Sequence, residues 1–206
     1  MRVKLLISVV ILLCIGLQRC GEEKVSADEL RAFALDEGNG LLQRIEKGES
    51  RLEVIYHPKE LVLLQEISGR VLSNKQLDSI RHELQAYDYF LFKLSRNGRE
   101  IVSSYANDRL AYKKAINYLS YRISADIALV NNDENIAVED FSYSQTFGSA
   151  TSTTLLIAFK SSLRDREGSL SFVFNDSFFN TGLSEFQFNV DDIRAVPNVN
   201  INPVEL

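Results

Sequence analysis

The placement of the phenylalanines restricts the fold of this chain more than any other feature. Nine of the twelve follow residue 140, and the pairs Phe172/Phe174 and Phe186/Phe188 sit on alternate positions of their segments. Alternate side chains of a strand project from one face, so each pair puts two rings on one side of an extended segment. From Asp126 onward the same period of two predicts strands over Ile127–Val130, Ile136–Phe147, Thr153–Lys160, Ser169–Phe174 and Glu185–Val190. Asn131-Asn132-Asp133-Glu134-Asn135 and Asn180-Thr181-Gly182 supply turn chemistry between them, because Asn, Asp and Gly tolerate the conformations that turns require. The expectation is an antiparallel meander or sandwich in the C-terminal half, holding the main aromatic core. Pro197 and Pro203 mark the last residues as a rim or edge segment.

The first half carries helical periods. Ser26-Ala27-Asp28-Glu29 is a capping-box sequence, in which the serine and the glutamate each satisfy a free N–H of the first turn. Leu30, Phe33 and Ala34 form the apolar stripe that follows, and Gly38 or Gly40 ends the helix. Leu52, Val54 and Tyr56 alternate as a strand that Pro58 terminates, and Glu60–Ile67 and Asn74–Leu84 have helical spacing. Tyr87–Leu94 is apolar on both faces and reads as a central strand. Asn107 or Asp108 caps the clearest helix, whose inner face is Tyr112, Ala115, Ile116, Leu119 and Ile123, with Arg109, Lys113 and Lys114 outward. The fold class is α+β: helices in the N-terminal half, antiparallel strands in the C-terminal half, one domain over residues 26–206.

Residues 1–19 do not belong to that domain. Arg2 and Lys4 precede the apolar run Leu5–Leu17. A bilayer-spanning helix needs about 20 apolar residues, and this run ends short of that at Gln18 and Arg19. The layout is that of an export signal. Cys20 follows at once, then Gly21-Glu22-Glu23-Lys24. The segment Leu17-Gln18-Arg19-Cys20 resembles the lipobox of bacterial lipoproteins, with an apolar residue three before the cysteine. Arg19 stands where that motif carries a small residue. Cys14 and Gly16 offer general signal peptidase a cut after Gly16, which would give a periplasmic or secreted chain instead. The resemblance implies that Cys20 is the mature N-terminus and the lipid-attachment residue, carrying palmitate-type acyl chains, with residues 20–25 as a short tether.

Cysteine usage agrees with that expectation. Only Cys14 and Cys20 exist, so loss of the signal leaves a single thiol and no disulfide. Two acyl chains anchor a protein stably, each buried methylene contributing about 0.8 kcal/mol. The signal holds three cations and no acid, so its removal takes the formal charge from −5 to −8. An acidic body without basic clusters is a poor ligand for nucleic acid or for anionic lipid head groups. The expected membrane contact is therefore the N-terminal acyl chains. A content of 45% hydrophobic residues excludes disorder.

No motif points to chemistry. His57 and His82 lie in different elements, and neither HExxH nor CxxC occurs, so no metal and no cofactor is expected. His57 reads as a solvent-exposed strand end and His82 as a helix-surface residue. The Asn131–Asn135 run lacks the glycine and glutamate of a calcium loop, having Ile136 and Ser142 there. No GxSxG elbow is present. The closest acid pairs, Glu139-Asp140 and Asp191-Asp192, would point to opposite faces if they lay on strands. No catalytic residue is assigned.

Cys20–Lys24 resembles the acid-rich stretch after the acylated cysteine of surface-exported Bacteroidetes lipoproteins. The body resembles small lipoproteins of that group at Asn39-Gly40-Leu41, Tyr56–Leu61 and Gly182–Arg194. That resemblance implies an outer-membrane location facing outward, and no activity. Three roles follow as expectations: a non-catalytic module binding an envelope protein or extracellular ligand; a small envelope hydrolase using a carboxylate pair; or a structural subunit of an outer-membrane complex.

Overall fold

The alternating rings line two facing antiparallel sheets. The computed structural model describes residues 24–132, 134–160, 163 and 166–199; the signal, Cys20 and Pro203 lie outside the described residues. In chain order the elements are α1 (Ala27–Leu35), β1 (Leu42–Lys47), β2 (Ser50–His57), α2 (Lys59–Ile67), α3 (Asn74–Gln85), β3 (Asp88–Arg96), β4 (Arg99–Glu100), α4 (Arg109–Tyr121), β5 (Ile127–Asn131), β6 (Glu134–Ala137), β7 (Asp140–Tyr143), β8 (Thr153–Phe159), β9 (Ser169–Asn175), β10 (Leu183–Asn189) and α5 (Val190–Arg194). Single 3-10 turns cover Glu37–Asn39, Ile101–Tyr105 and Ile123–Asp126. The fold is α+β.

The larger sheet has six strands in the order β1-β2-β3-β8-β7, with β4 beside β3, and the smaller has the order β10-β9-β5-β6. Every strand pair is antiparallel. Period two decides what faces inward. Leu52, Val54 and Tyr56 of β2 register with Leu94, Phe92 and Phe90 of β3, and Phe172 and Phe174 of β9 with Phe186 and Ser184 of β10. The rings then meet across the interface: Phe92 lies 4.9 Å from Phe174 and Phe90 lies 5.4 Å from Phe188, centroid to centroid. Such tilted and edge-on pairs contribute about 0.5–1.5 kcal/mol each beyond the area they bury.

Strands occur in both halves of the chain, so the larger sheet draws β1 to β4 from the half expected to be helical. The helices do fall before residue 122, except for the five-residue α5. Strand β3 is central, between β2 and β8, as its apolar character on both faces predicts. Its outward residue Tyr89 joins Ala158 and Val62 of α2 in a second apolar cluster, with Leu84 of α3 against it. Helices α2 and α3 thus pack on the outer face of the larger sheet. Capping boxes start α1 at Ser26/Glu29 and α3 at Ser73/Gln76, and the Asp108 carboxylate caps α4 through the N–H groups of Leu110 and Ala111.

Four expectations need correction. The predicted strand Ile136–Phe147 is two strands in different sheets, β6 on β5 and β7 on β8. The inward residues change phase at Glu139, from Ile136 and Val138 to Phe141 and Tyr143, and the chain crosses from one sheet to the other there. Asp191 and Asp192 lie in α5 rather than on a strand. α1 ends at Leu35, before either glycine; Gly40 (φ 72°) closes the following 3-10 turn. A Cβ at Gly40 would collide with the Asp192 carboxylate, so the glycine lets α5 close over the start of β1. His57 is only partly exposed, because the strand end lies beside the helical layer.

The expected tether ends in an attachment. Val25 donates its N–H to the Asn198 carbonyl at 3.0 Å and bridges Val199 in parallel, so both ends of the described chain meet. Among the described residues, the buried apolar ones lie between Leu30 and Val196.

Candidate functional site

A groove of about 600 Å³ runs along α4, lined by Leu110, Lys113, Lys114, Asn117, Tyr118 and Arg122. Ala125 and Asp126 close its end, and Ser177 and Phe178 from the β9–β10 connection form the opposite wall. Helical geometry produces the first wall: positions 110, 113, 114, 117 and 118 share one face of an α-helix. Ala115 and Leu119, on the other side, are fully buried.

The opposite wall is built by Asp176. Its Oδ1 accepts the N–H groups of Phe178 at 2.9 Å and Phe179 at 2.8 Å, and its Oδ2 accepts the N–H of Thr181 at 2.6 Å and its hydroxyl at 2.8 Å. A carboxylate that organises several following amides fixes a turn firmly. Asn180 (φ 61°) and Gly182 (φ 67°) then return the chain into β10.

Asp126 joins the two walls. Its Oδ2 accepts the Tyr118 hydroxyl at 2.5 Å, the Ser177 N–H at 2.9 Å and the Ser177 hydroxyl at 2.5 Å. Phe178 stacks on Tyr118 with centroids 5.0 Å apart and planes at 15°. Burial, then the bond to Asp126, drive the Tyr118 hydroxyl far above the usual phenol range, so it donates at any pH the fold survives. It acts as a fixed donor, not as an acid.

The electrostatics of the groove run against those of the chain. Lys113, Lys114 and Arg122 surround it with Asp126 as the one lining acid, and Asp126 already holds three donors. None of the three cations forms a salt bridge among the described residues. Leu110 is 63% exposed and Tyr121 is 76% exposed, so apolar surface lies beside the cations. The helical period correctly turns Lys113 and Lys114 away from the core; it does not reveal that a loop from residue 177 rises beside them.

Other polar groups are structural in their bonding. Asp88, 1% exposed, accepts the Tyr56 hydroxyl at 2.8 Å and the Leu163 N–H at 2.9 Å, with Lys59 at 3.9 Å. Glu100, also 1% exposed, accepts the Thr146 hydroxyl and the Gly148 N–H, fixing the loop that displays Phe147. Asp191 is tied to Arg194 at 2.8 Å, and it shares a polar depression with Asp192, Gln43 and Gln187. Asp140 accepts the N–H of its own neighbour Phe141 at 2.9 Å. Desolvation, then the charges of Arg31 and Lys93, lower His57 to about 4, whereas His82 is exposed on α3. The β5–β6 hairpin pairs Asn131 with Glu134, so Asn131 belongs to β5, Glu134 and Asn135 belong to β6, and Asn132 (φ 53°) begins the turn between them. Among the described residues no group of three or more His, Cys, Asp or Glu is arranged to hold a metal ion. No helix among them is long and apolar enough to cross a membrane.

No protein-family model, curated protein or solved structure matches the chain.

Proposed function

We propose that this protein is an envelope lipoprotein, acylated at Cys20 and held at the outer membrane by those chains, that works as a non-catalytic binding module with the α4 groove as its ligand site. The observation that carries the binding role is the unpaired cationic lining of a 600 Å³ concavity on a chain of net charge −5. Ligand sites are concave, largely apolar and few per protein, with a small number of polar groups fixing orientation. The groove has that make-up. Its walls are preorganised by Asp126 and Asp176, which lowers the ordering cost of binding. The surface location rests on the likeness of Cys20–Lys24 to Bacteroidetes lipoproteins.

The test places a photoreactive amino acid at Leu110, at Asn117 or at Glu185 on the exposed side of β10, and irradiates intact cells. Adducts of one recurring mass at Leu110 and Asn117, and none at Glu185, are the expected outcome. Adducts at Glu185 alone would move the binding surface to the sheet and contradict the assignment.

A further inference from the structure

We infer that the α4 groove selects an organic anion, a carboxylate, sulfonate or phosphate joined to an apolar body; the inference rests on the binding-module reading and specifies its ligand. The groove brings together two features with different requirements. Lys113 and Lys114 stand about one turn from the exposed Leu110, while Phe178 rises from the facing loop.

The three cations are not equivalent. Arg122 is the C-cap of α4, where a cation offsets the negative end of the helix dipole. That accounts for Arg122 without a ligand. Lys113 and Lys114 lie in mid-helix, where the dipole gives a cation no such benefit and no carboxylate of the described residues answers them. Both side chains line the groove, so an anion held there meets two positive charges that no acid answers.

The apolar half of the site is equally open. Leu110 keeps 63% of its surface in water, and Phe178 is partly exposed although Tyr118 covers it on one side. An apolar body lying between Leu110 and Phe178 would dry both. The Asn117 amide lines the groove one turn beyond the lysines and can accept or donate there. An inorganic anion would leave the apolar wall wet, and a neutral ring would leave the lysines unanswered. An organic anion satisfies both.

The experiment is calorimetric titration of residues 20–206 carrying Cys20→Ser, since the buried core lies within this span. Naphthalene-2-sulfonate is the probe, with naphthalene-2-methanol and sodium sulfate as comparisons. The sulfonate is expected to bind at least tenfold more tightly than either, and to lose at least tenfold in a Lys113→Glu/Lys114→Glu variant of unchanged melting temperature. If that variant does not fold, Lys113→Gln/Lys114→Gln is expected to show a smaller loss in the same direction. Equal binding of the neutral alcohol would overturn the charge selection and leave the groove as a binding site. Equal binding of sulfate would overturn the role of the apolar wall. Absence of sulfonate binding would overturn the inference, whereas the crosslinking experiment decides the module reading separately.

Discussion

Tyr118 and Asp126 are joined by a 2.5 Å hydrogen bond that ties the last turn of α4 to the 3-10 turn after it. Ser177 closes the same oxygen from the other side of the groove, so one carboxylate determines how far apart the walls stand. Asp126→Ala removes the acceptor of three donors. Leaving the part-buried Tyr118 hydroxyl unsatisfied costs about 1–3 kcal/mol, and the two exposed Ser177 donors, which regain water, add less. A loss of about 2–4 kcal/mol in urea unfolding is expected, against about 1 kcal/mol for Tyr118→Phe. Equal small losses in both would show that Asp126 does not organise the site.

His57 gives the fold a pH dependence of definite sign. Its folded value is about 4 against an ordinary 6.5, so between these limits the unfolded chain binds more protons than the native one. The stability is fully present above pH 6.5 and is lost as the pH falls towards 4. The partial exposure of the ring reduces the effect to about 2 kcal/mol. Denaturant unfolding of the parent and of His57→Gln at pH 7.5 and 4.5 checks it: the parent should lose about 2 kcal/mol more than the variant between these pH values. An identical pH response would mean that the imidazole is not desolvated.

Phe92 meets rings of both β9 and β10, with centroids 4.9 Å from Phe174, 5.5 Å from Phe172 and 6.4 Å from Phe186. Phe92→Ala should cost about 3–5 kcal/mol, the usual range for a buried ring that leaves a cavity. Phe147 is 79% exposed, and Phe147→Ser should stay within about 0.5 kcal/mol of the parent. Comparable losses in both would argue against face-to-face packing of the sheets.

These cases show what the sequence could and could not convey. The alternation of Phe172/Phe174 and Phe186/Phe188 marks β9 and β10 directly, because strand period and burial coincide there. Strand β1 escapes notice because Leu42 and Ile45 are spaced as in a helix and Arg44 instead reaches Glu53 at 2.5 Å and Glu37 at 2.6 Å. The crossing from β6 to β7 was legible in principle, as a slip of apolar phase between Val138 and Phe141. The groove was not. Asp126 and Ser177 are 51 residues apart, and no local pattern announces that a turn built on Asp176 returns to α4. The cations read as an ordinary solvated face until the second wall stands beside them.

Asp88 anchors the segment containing Leu163 to the start of β3 from a position 1% exposed. Asp88→Ala takes away a buried acceptor that the Leu163 amide and the Tyr56 hydroxyl share, and removal of one partner from a buried charged network costs about 3–5 kcal/mol. Tyr56→Phe should cost about 1–2 kcal/mol, since Asp88 keeps the Leu163 bond and the nearby Lys59. Thermal or urea unfolding of the two variants checks the order. A more damaging Tyr56→Phe would place the critical interaction elsewhere.

The proposed envelope location depends on Cys20 being the acylated N-terminus. Mass spectrometry of the N-terminal peptide from membranes of the producing cell tests it directly. The expected peptide begins at Cys20 and carries a thioether-linked diacylglycerol. A peptide that begins at another residue, with the Cys20 thiol unmodified or absent, would contradict the envelope-lipoprotein assignment.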